Sequence, residues 1–388
     1  MDPTEESVAK SPRRKRSGDV GRAVVAASIA VLVAVAGYGI YSYVAGSESS
    51  GEPTLVLYTY QSLFTGTNDT AAVFQSVFGS FEATHHVHIR VEYPPGDLVS
   101  TLRSESNAPS ADLVVGLDEI TAPQAASFGL LVPYASPQLA SVPPSLLNEI
   151  APDHSVTPYE WGYLAFDYNR TFANASGGAL ANLSFDAIAA NASWASNLLI
   201  EDPTLDITGE EFLAWQIEYA LTVGHSDWTT FWKSVDRHLH VAPDWSTAFS
   251  EFTAPPNPPG MVVSYSSDPA YQAYFGAPAT FGSTVVHDHG SSYGWKTIYG
   301  LGIVSGTRHL ALDQQFVDWF LSGSVQDQIP LNEWEYPANS SVPLPGVYAQ
   351  AIPPGSITAL NDRVSPASLA ASIRGWVTEW QVIDNQYG

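Results

Sequence analysis

The sequence predicts an α/β protein of two lobes with a hinged cleft between them, held outside a membrane by one N-terminal transmembrane helix. Three observations carry this prediction. Strand-like and helix-like runs alternate from residue 54, the alternation resumes after 195, and an uncharged apolar run occupies 23–45. A chain of 388 residues, 45% hydrophobic and 12% aromatic, has the material for two filled cores.

Residues 1–22 read as a basic cytoplasmic tail, holding Lys10, Arg13, Arg14, Lys15, Arg16 and Arg22 among the 15 basic residues of the chain. "AVVAASIAVLVAVAGYGIYSYVA" follows without a charge and is long enough to cross a bilayer. Basic residues before it and Tyr38, Tyr41 and Tyr43 near its far end place the N-terminus in the cytoplasm and the rest outside. The run is read as an uncleaved anchor; Ala34-Val35-Ala36 offers a signal-peptidase site as the alternative. "GSESSGEP" over 46–53 is a flexible linker. Six glycosylation sequons, at Asn68, Asn169, Asn174, Asn182, Asn191 and Asn339, all follow the anchor and fit an extracytoplasmic domain, with 169–191 as an exposed segment.

Beyond the linker, "TLVLYTY" is a β-branched and aromatic strand. "DTAAVFQSVFGSFEATH" spaces Val73, Val77, Phe78 and Phe81 as one helix face. "VHIRVEY" alternates like a strand, "DLVSTLRSES" is a short amphipathic helix, and "ADLVVGLD" is a buried strand. After 195 come the strand "NLLIEDP" and the helices "GEEFLAWQIEYALTVG" and "WTTFWKSVDRHL". Next are "DWSTAFSEFTA", the strand "MVVSY", the strand "TIYGLGIVSG", and long helices over 310–329 and 366–386. The expected bounds are 54–160 and 283–388 for lobe 1 and 161–282 for lobe 2.

Composition removes several chemistries. With no cysteine there is no disulfide, thiolate metal site, lipid-bearing cysteine or cysteine nucleophile. A net charge of −24 repels nucleic acid and tolerates a cationic ligand. "GSSYG" (290–294) has the spacing of a nucleophile elbow but lacks a following helix, so it reads as a loop. His287 and His289, and His85, His86 and His88, have no partner at a metal-site spacing. The informative stretch is "MVVSYSSDPAY": a buried strand ends in Tyr265, Ser266, Ser267 and Asp268, with Tyr271 just beyond. Such strand ends are where α/β proteins hold ligands.

"TLVLYTYQSLF", "ADLVVGLD", "YEWGYLAFDYN", "DWSTAFSEF", "MVVSYSSDPAY" and "NEWEYPAN" occur in order between 54 and 339. As a set they resemble the extracytoplasmic thiamine-binding proteins of ABC transporters. The resemblance implies a type II periplasmic-binding-protein fold, a monomer that carries thiamine to a permease and its ATPase, and no catalysis, cofactor or metal. It implies that Asp118 accepts hydrogen bonds from the aminopyrimidine and that Trp245 stacks on a ring. Tyr265, Ser266, Ser267, Asp268 and Tyr271 would then lie along the ligand, with Tyr60 and Trp334 as further aromatic walls. The chemistry agrees: aromatic faces stabilise a cation by about 0.5–2 kcal/mol each, and a carboxylate balances the thiazolium charge.

One departure bears on specificity. Where the family has "DPRTSTPG", this chain has "DPTLDITG" (202–209), so Thr204 replaces an arginine and Asp206-Ile207 replace a Ser-Thr pair. An aspartate repels a phosphate, so free thiamine is expected to bind better than its phosphates. Gln61 also departs from the family's usual aspartate. The alternatives are a polyamine or ferric-ion receptor of the same fold and, more remotely, a thiaminase-like enzyme, which would need a nucleophile other than cysteine.

Overall fold

The computed structural model describes residues 43–44, 51–64, 70–254, 256–276 and 279–387. Its strands are β1 (Tyr43–Val44), β2 (Thr54–Tyr58), β3 (His88–Glu92), β4 (Leu113–Leu117), β5 (Leu131–Val132) and β6 (Thr157–Asn169). They continue as β7 (Leu198–Glu201), β8 (His240–Ala242), β9 (Met261–Tyr265), β10 (Phe281–Thr284), β11 (Val286–Asp288) and β12 (Ser291–Gly294). The last are β13 (Lys296–Val304), β14 (Tyr336–Pro337) and β15 (Thr358–Ala359).

One sheet runs β1-β3-β2-β4-β13-β6-β9-β7-β8, with β5 on β13 and β10 and β14 on β6. Strands β3, β2 and β4 are parallel, as are β9, β7 and β8; β13 and β6 are antiparallel to each other and to these blocks. The 13 residues of β6 serve both lobes. Its first half pairs with β13 and its second half, Leu164 to Tyr168, pairs with β9. Because β4 ("LVVGL") is covered on both faces, it is a continuous apolar run rather than an alternating one. β3 alternates buried and half-buried residues, as an outer strand should.

Two large cores flank the crossing. The first collects Leu55, Leu57, Phe78, Val115, Tyr159, Ile298, Leu301 and Phe320. The second collects Phe166, Phe185, Phe212, Trp215, Trp232 and Val263. Trp161, on β6, packs against both. Fully burying residues of this size contributes about 1.5–3 kcal/mol each, so the cores outweigh any surface contact.

The structure divides residues 283–388 differently from the sequence expectation. Ile298, Leu301, Phe316, Phe320 and Ala338 join the first core, but Val285, Trp295, Leu360, Ile373 and Trp380 join the second. The last helix (Pro366–Tyr387) lies against the helices Ile207–Thr222 and Thr229–Val235, so the chain ends on lobe 2. Amphipathic spacing identifies the helix but not the core its buried stripe will meet. "GSSYG" is strand β12, paired antiparallel with β11, rather than a loop. The His287 ring is held by the hydroxyls of Thr284 (3.0 Å) and Ser292 (3.1 Å).

The anchor expected over 23–45 lies outside the described residues except for Tyr43–Val44, which form a strand on β3 rather than helix. No helix among the described residues is long and apolar enough to cross a membrane. Asn174, Asn182 and Asn191 are exposed, and Asn68 lies outside the described residues. Asn339 is buried, its amide donating to the Leu321 carbonyl (3.1 Å), so that sequon is not available as an acceptor. Within the expected exposed segment 169–191, Leu180, Leu183, Phe185 and Ile188 are buried.

Candidate functional site

The strand ends of both lobes converge beside β6 and β13. On lobe 1, β2 runs into Tyr60 and β4 into Asp118. Gly116 sits at φ +99°, and a Cβ there would lie 2.2 Å from the Tyr60 ring, so the glycine lets that ring pack on the β4 backbone. The Tyr60 hydroxyl meets Tyr159 Oη (2.9 Å), Glu160 Oε1 (3.1 Å) and Glu333 Oε2 (3.0 Å), while its ring lies 5.8 Å from that of Tyr299.

On lobe 2, β9 ends at Tyr265. The Tyr265 hydroxyl bonds to Tyr299 Oη across the cleft (3.0 Å) and to Thr208 Oγ1 (3.2 Å). Trp245 stacks on Phe249 (5.1 Å, 20°), lies 6.0 Å from the Tyr265 ring and donates its indole N–H to Ser264 Oγ (3.0 Å). Asp268 opens the helix Asp268–Tyr274 and accepts from Ser264 Oγ (2.5 Å) and the Tyr265 amide (3.1 Å). Tyr271 makes an edge contact with Trp334 (5.1 Å) and also reaches Phe249. Aromatic side chains therefore run from Tyr60 through Tyr299, Tyr265, Trp245, Phe249 and Tyr271 to Trp334, by ring contacts at every step except Tyr299 to Tyr265, which is a hydroxyl hydrogen bond. Trp334 holds φ +62°, a conformation that costs a bulky residue about 1–2 kcal/mol and is kept only where the surroundings demand it.

Three residues have duties beyond those the sequence suggested. Asp118 is fully buried, and its Oδ1 accepts from the Ile120 amide (3.0 Å), the Thr121 amide (2.6 Å) and Thr121 Oγ1 (2.6 Å). Its Oδ2 has no protein partner. Asp206 caps the helix Ile207–Thr222, accepting from the Thr208 amide (2.9 Å), and also takes the Trp245 amide (3.4 Å). The helix N-terminus that would attract a phosphate is thus already compensated from within the chain. Ile207 packs across the cleft on the lobe 1 core. Ser266 and Ser267 are fully buried with hydroxyls that lack protein partners.

Sequence reasoning overlooked the further acids. Glu119 accepts from the Trp295 indole (2.6 Å) and the Ile298 amide (3.0 Å), and Glu211 accepts from Thr297 Oγ1. Glu160 and Glu333 meet at the Tyr60 hydroxyl, and Glu335 lies near both of them. Burial, followed by the Asp118 charge, pushes Glu119 up to about 8, and burial does the same to Glu160. Burial together with neighbouring carboxyls raises Glu211 and Glu335 well above the carboxylate range. Burial lifts Asp206 and Asp268 to about 6. The signal was present in "YEWGYLAF" and "NEWEYPAN", where glutamates interrupt otherwise buried runs. Among the described residues, no Lys, Arg or His forms an ion pair with these acids; Lys296 is taken by Glu149 (2.9 Å) and Asp362 (2.6 Å). Aromatic faces and uncompensated buried carboxyls make a setting for an organic cation.

Comparison with known proteins identifies the family and the fold. Residues 65–327 match the family described as "Bacterial extracellular solute-binding protein". The "Thiamine-binding periplasmic protein" of Brucella suis biovar 1 (strain 1330) is 25% identical over 334 residues, covering 86% of this chain and 92% of that protein. Its namesake in Escherichia coli (strain K12) is 24% identical over 333 residues, covering 85% and 93%. Among solved structures, a "Periplasmic thiamin binding protein" superposes with TM-score 0.68 at 22% identity, covering 87% of this chain and 98% of that one. A "Ferric binding protein from Campylobacter jejuni" reaches TM-score 0.64 at 16% identity, covering 85% and 99%.

Proposed function

This chain belongs to the bacterial extracellular solute-binding proteins, and from that premise we propose that it captures thiamine outside the membrane and delivers it to the permease and ATPase of an ABC importer. The observation that carries the reading is the aromatic path from Tyr60 to Trp334 lined by buried carboxyls without a basic partner. A flat, permanently charged thiazolium and an aminopyrimidine meet both requirements, stacking faces and anionic acceptors. Asp118 offers a partnerless oxygen to the aminopyrimidine, and Trp245, Tyr265, Ser266, Ser267, Asp268 and Tyr271 follow the ligand's length. Asp206 disfavours a phosphate at the helix end it caps, so thiamine binds best, the monophosphate less well and the diphosphate worst.

Titration calorimetry with the three forms tests this directly, and a diphosphate that ranked first would defeat the reading of Asp206. A thermal-shift panel of thiamine, spermidine and ferric citrate separates the vitamin from the other cations. A true ligand adds about 2.7 kcal/mol at a hundredfold excess over Kd. Retention of intact thiamine after incubation with an amine acceptor distinguishes carriage from cleavage. The protein works as a monomer anchored through the apolar run 23–42, which stops short of the strand Tyr43–Val44; membrane fractionation of the full chain and of a chain lacking that run checks the anchor.

A further inference from the structure

The carboxyl group around Tyr60 is more than the proposed reading by itself requires. Strand β14 pairs antiparallel with β6, Tyr336 opposite Trp161 and Pro337 opposite Glu160, so Glu335 stands over Gly162. A Cβ on residue 162 would fall 1.8 Å from Glu335 Oε2, so only glycine leaves room for that carboxyl. Tyr60 Oη joins Glu160 to Glu333 through one hydroxyl, and Glu333 is steadied by the Phe64 amide. Glu160 is 1% and Glu335 5% exposed, yet Oε2 of each has no hydrogen-bond partner. Leaving such an oxygen buried and unpaired is costly, and more so if it is charged.

The titratable groups facing these three carboxyls are acids and phenols. From β6 and the loop after β2 come Tyr159 and Tyr60, and beyond β3 comes Tyr93. From lobe 2 come Tyr265 and Asp268, and from β14 and the segment after it Tyr336 and Tyr348. Nothing cationic within the chain offsets them among the described residues, so all three carboxyls cannot ionise together in the closed cleft.

We propose that Glu160, Glu333 and Glu335 form a carboxyl nest that takes the positive end of an unphosphorylated organic cation, and that one of the three releases its proton to solvent as the cation enters. This inference rests on the thiamine reading and assigns residues within it. The balance is a protonated carboxyl and a free cation on one side, and a carboxylate–cation pair and a solvated proton on the other. An amine, pyridinium or thiazolium would satisfy the nest, whereas a neutral ring of the same shape would not.

The test is titration calorimetry of the full chain with thiamine in two buffers of different ionisation enthalpy at about pH 6.5, which counts the protons released. The wild type should release about one proton per thiamine, and affinity should rise by up to about tenfold per pH unit from about pH 6 to about pH 7.5. Glu335→Gln, which keeps the shape and a hydrogen-bonding amide, should cut the proton count by at least about half and weaken thiamine by about tenfold or more. The neutral tricycle thiochrome should lose less than about threefold on the same change. Glu160→Gln should act in the same direction and guards against a folding defect at 335. A wild type that binds no thiamine ends both the functional reading and this inference. Thiamine bound with no proton release, or bound unchanged by both variants, overturns the nest alone.

Discussion

Raising pH should destabilise the ligand-free protein, with the acids of the cleft as the cause. Burial holds Glu160 protonated up to about 8, against an ordinary value of 4.5 for the unfolded chain. The folded state therefore binds more protons than the unfolded state between those values. Stability from such a group is complete below the unfolded value and is lost as pH rises through the folded one. At about 1.36 kcal/mol per pH unit, one carboxyl of this kind gives up about 4 kcal/mol between about pH 5 and about pH 8. For a domain of this size, with about 2 °C per kcal/mol, the melting temperature should fall by about 5–8 °C. Differential scanning fluorimetry across that range at constant ionic strength measures it. Glu160 suits the control, since Oε1 accepts from Tyr60 while Oε2 has no partner. In Glu160→Gln the amide nitrogen takes the empty side, and the slope should flatten. Saturating thiamine should flatten it too, because a cation makes the ionised form the favoured one. A melting temperature that stays level or climbs from about pH 5 to about pH 8 in the wild type would refute the argument.

Two substitutions probe the aromatic path. Tyr265→Phe removes hydroxyl contacts to Tyr299 and Thr208 across and within the cleft. At about 1 kcal/mol for a net hydrogen bond, thiamine affinity should fall about fivefold with the melting temperature changed by only about 2 °C. Trp334→Gly and Trp334→Ala both delete the wall on Tyr271, and both should weaken thiamine binding. Because residue 334 sits at φ +62°, the glycine variant should be more stable than the alanine variant by about 1 kcal/mol in denaturant titrations, and the reverse order would contradict the strained backbone.

Much of the fold was legible because hydrophobic period is a local property. "LVVGL" and "MVVSY" read as buried strands and are buried strands, and the spacing in "DTAAVFQSVFGSFEATH" reads as the helix Thr70–His85 that forms. The stretch after β9 stood out in the sequence because packing alone gives a core strand no reason to end in hydroxyls and a carboxylate, and the structure buries Ser266, Ser267 and Asp268 there. Asp206 was legible as a charge but not as a helix cap joined to Trp245, which depends on where the next helix begins.

What the sequence determined alone was the two-lobed α/β class and the acidic, aromatic character of the strand ends, since composition and periodicity need no partner to be read. Tertiary structure decided which core the C-terminal helix covers, that Tyr265 reaches Tyr299, and that Glu160 and Glu333 meet at one tyrosine with Glu335 near both. Those contacts join residues as far apart as Tyr60 and Glu333, 273 positions, with Glu160 bonded to the same hydroxyl. A carboxyl's charge state follows from the burial and neighbours it finds at such a meeting, and one-dimensional order contains neither.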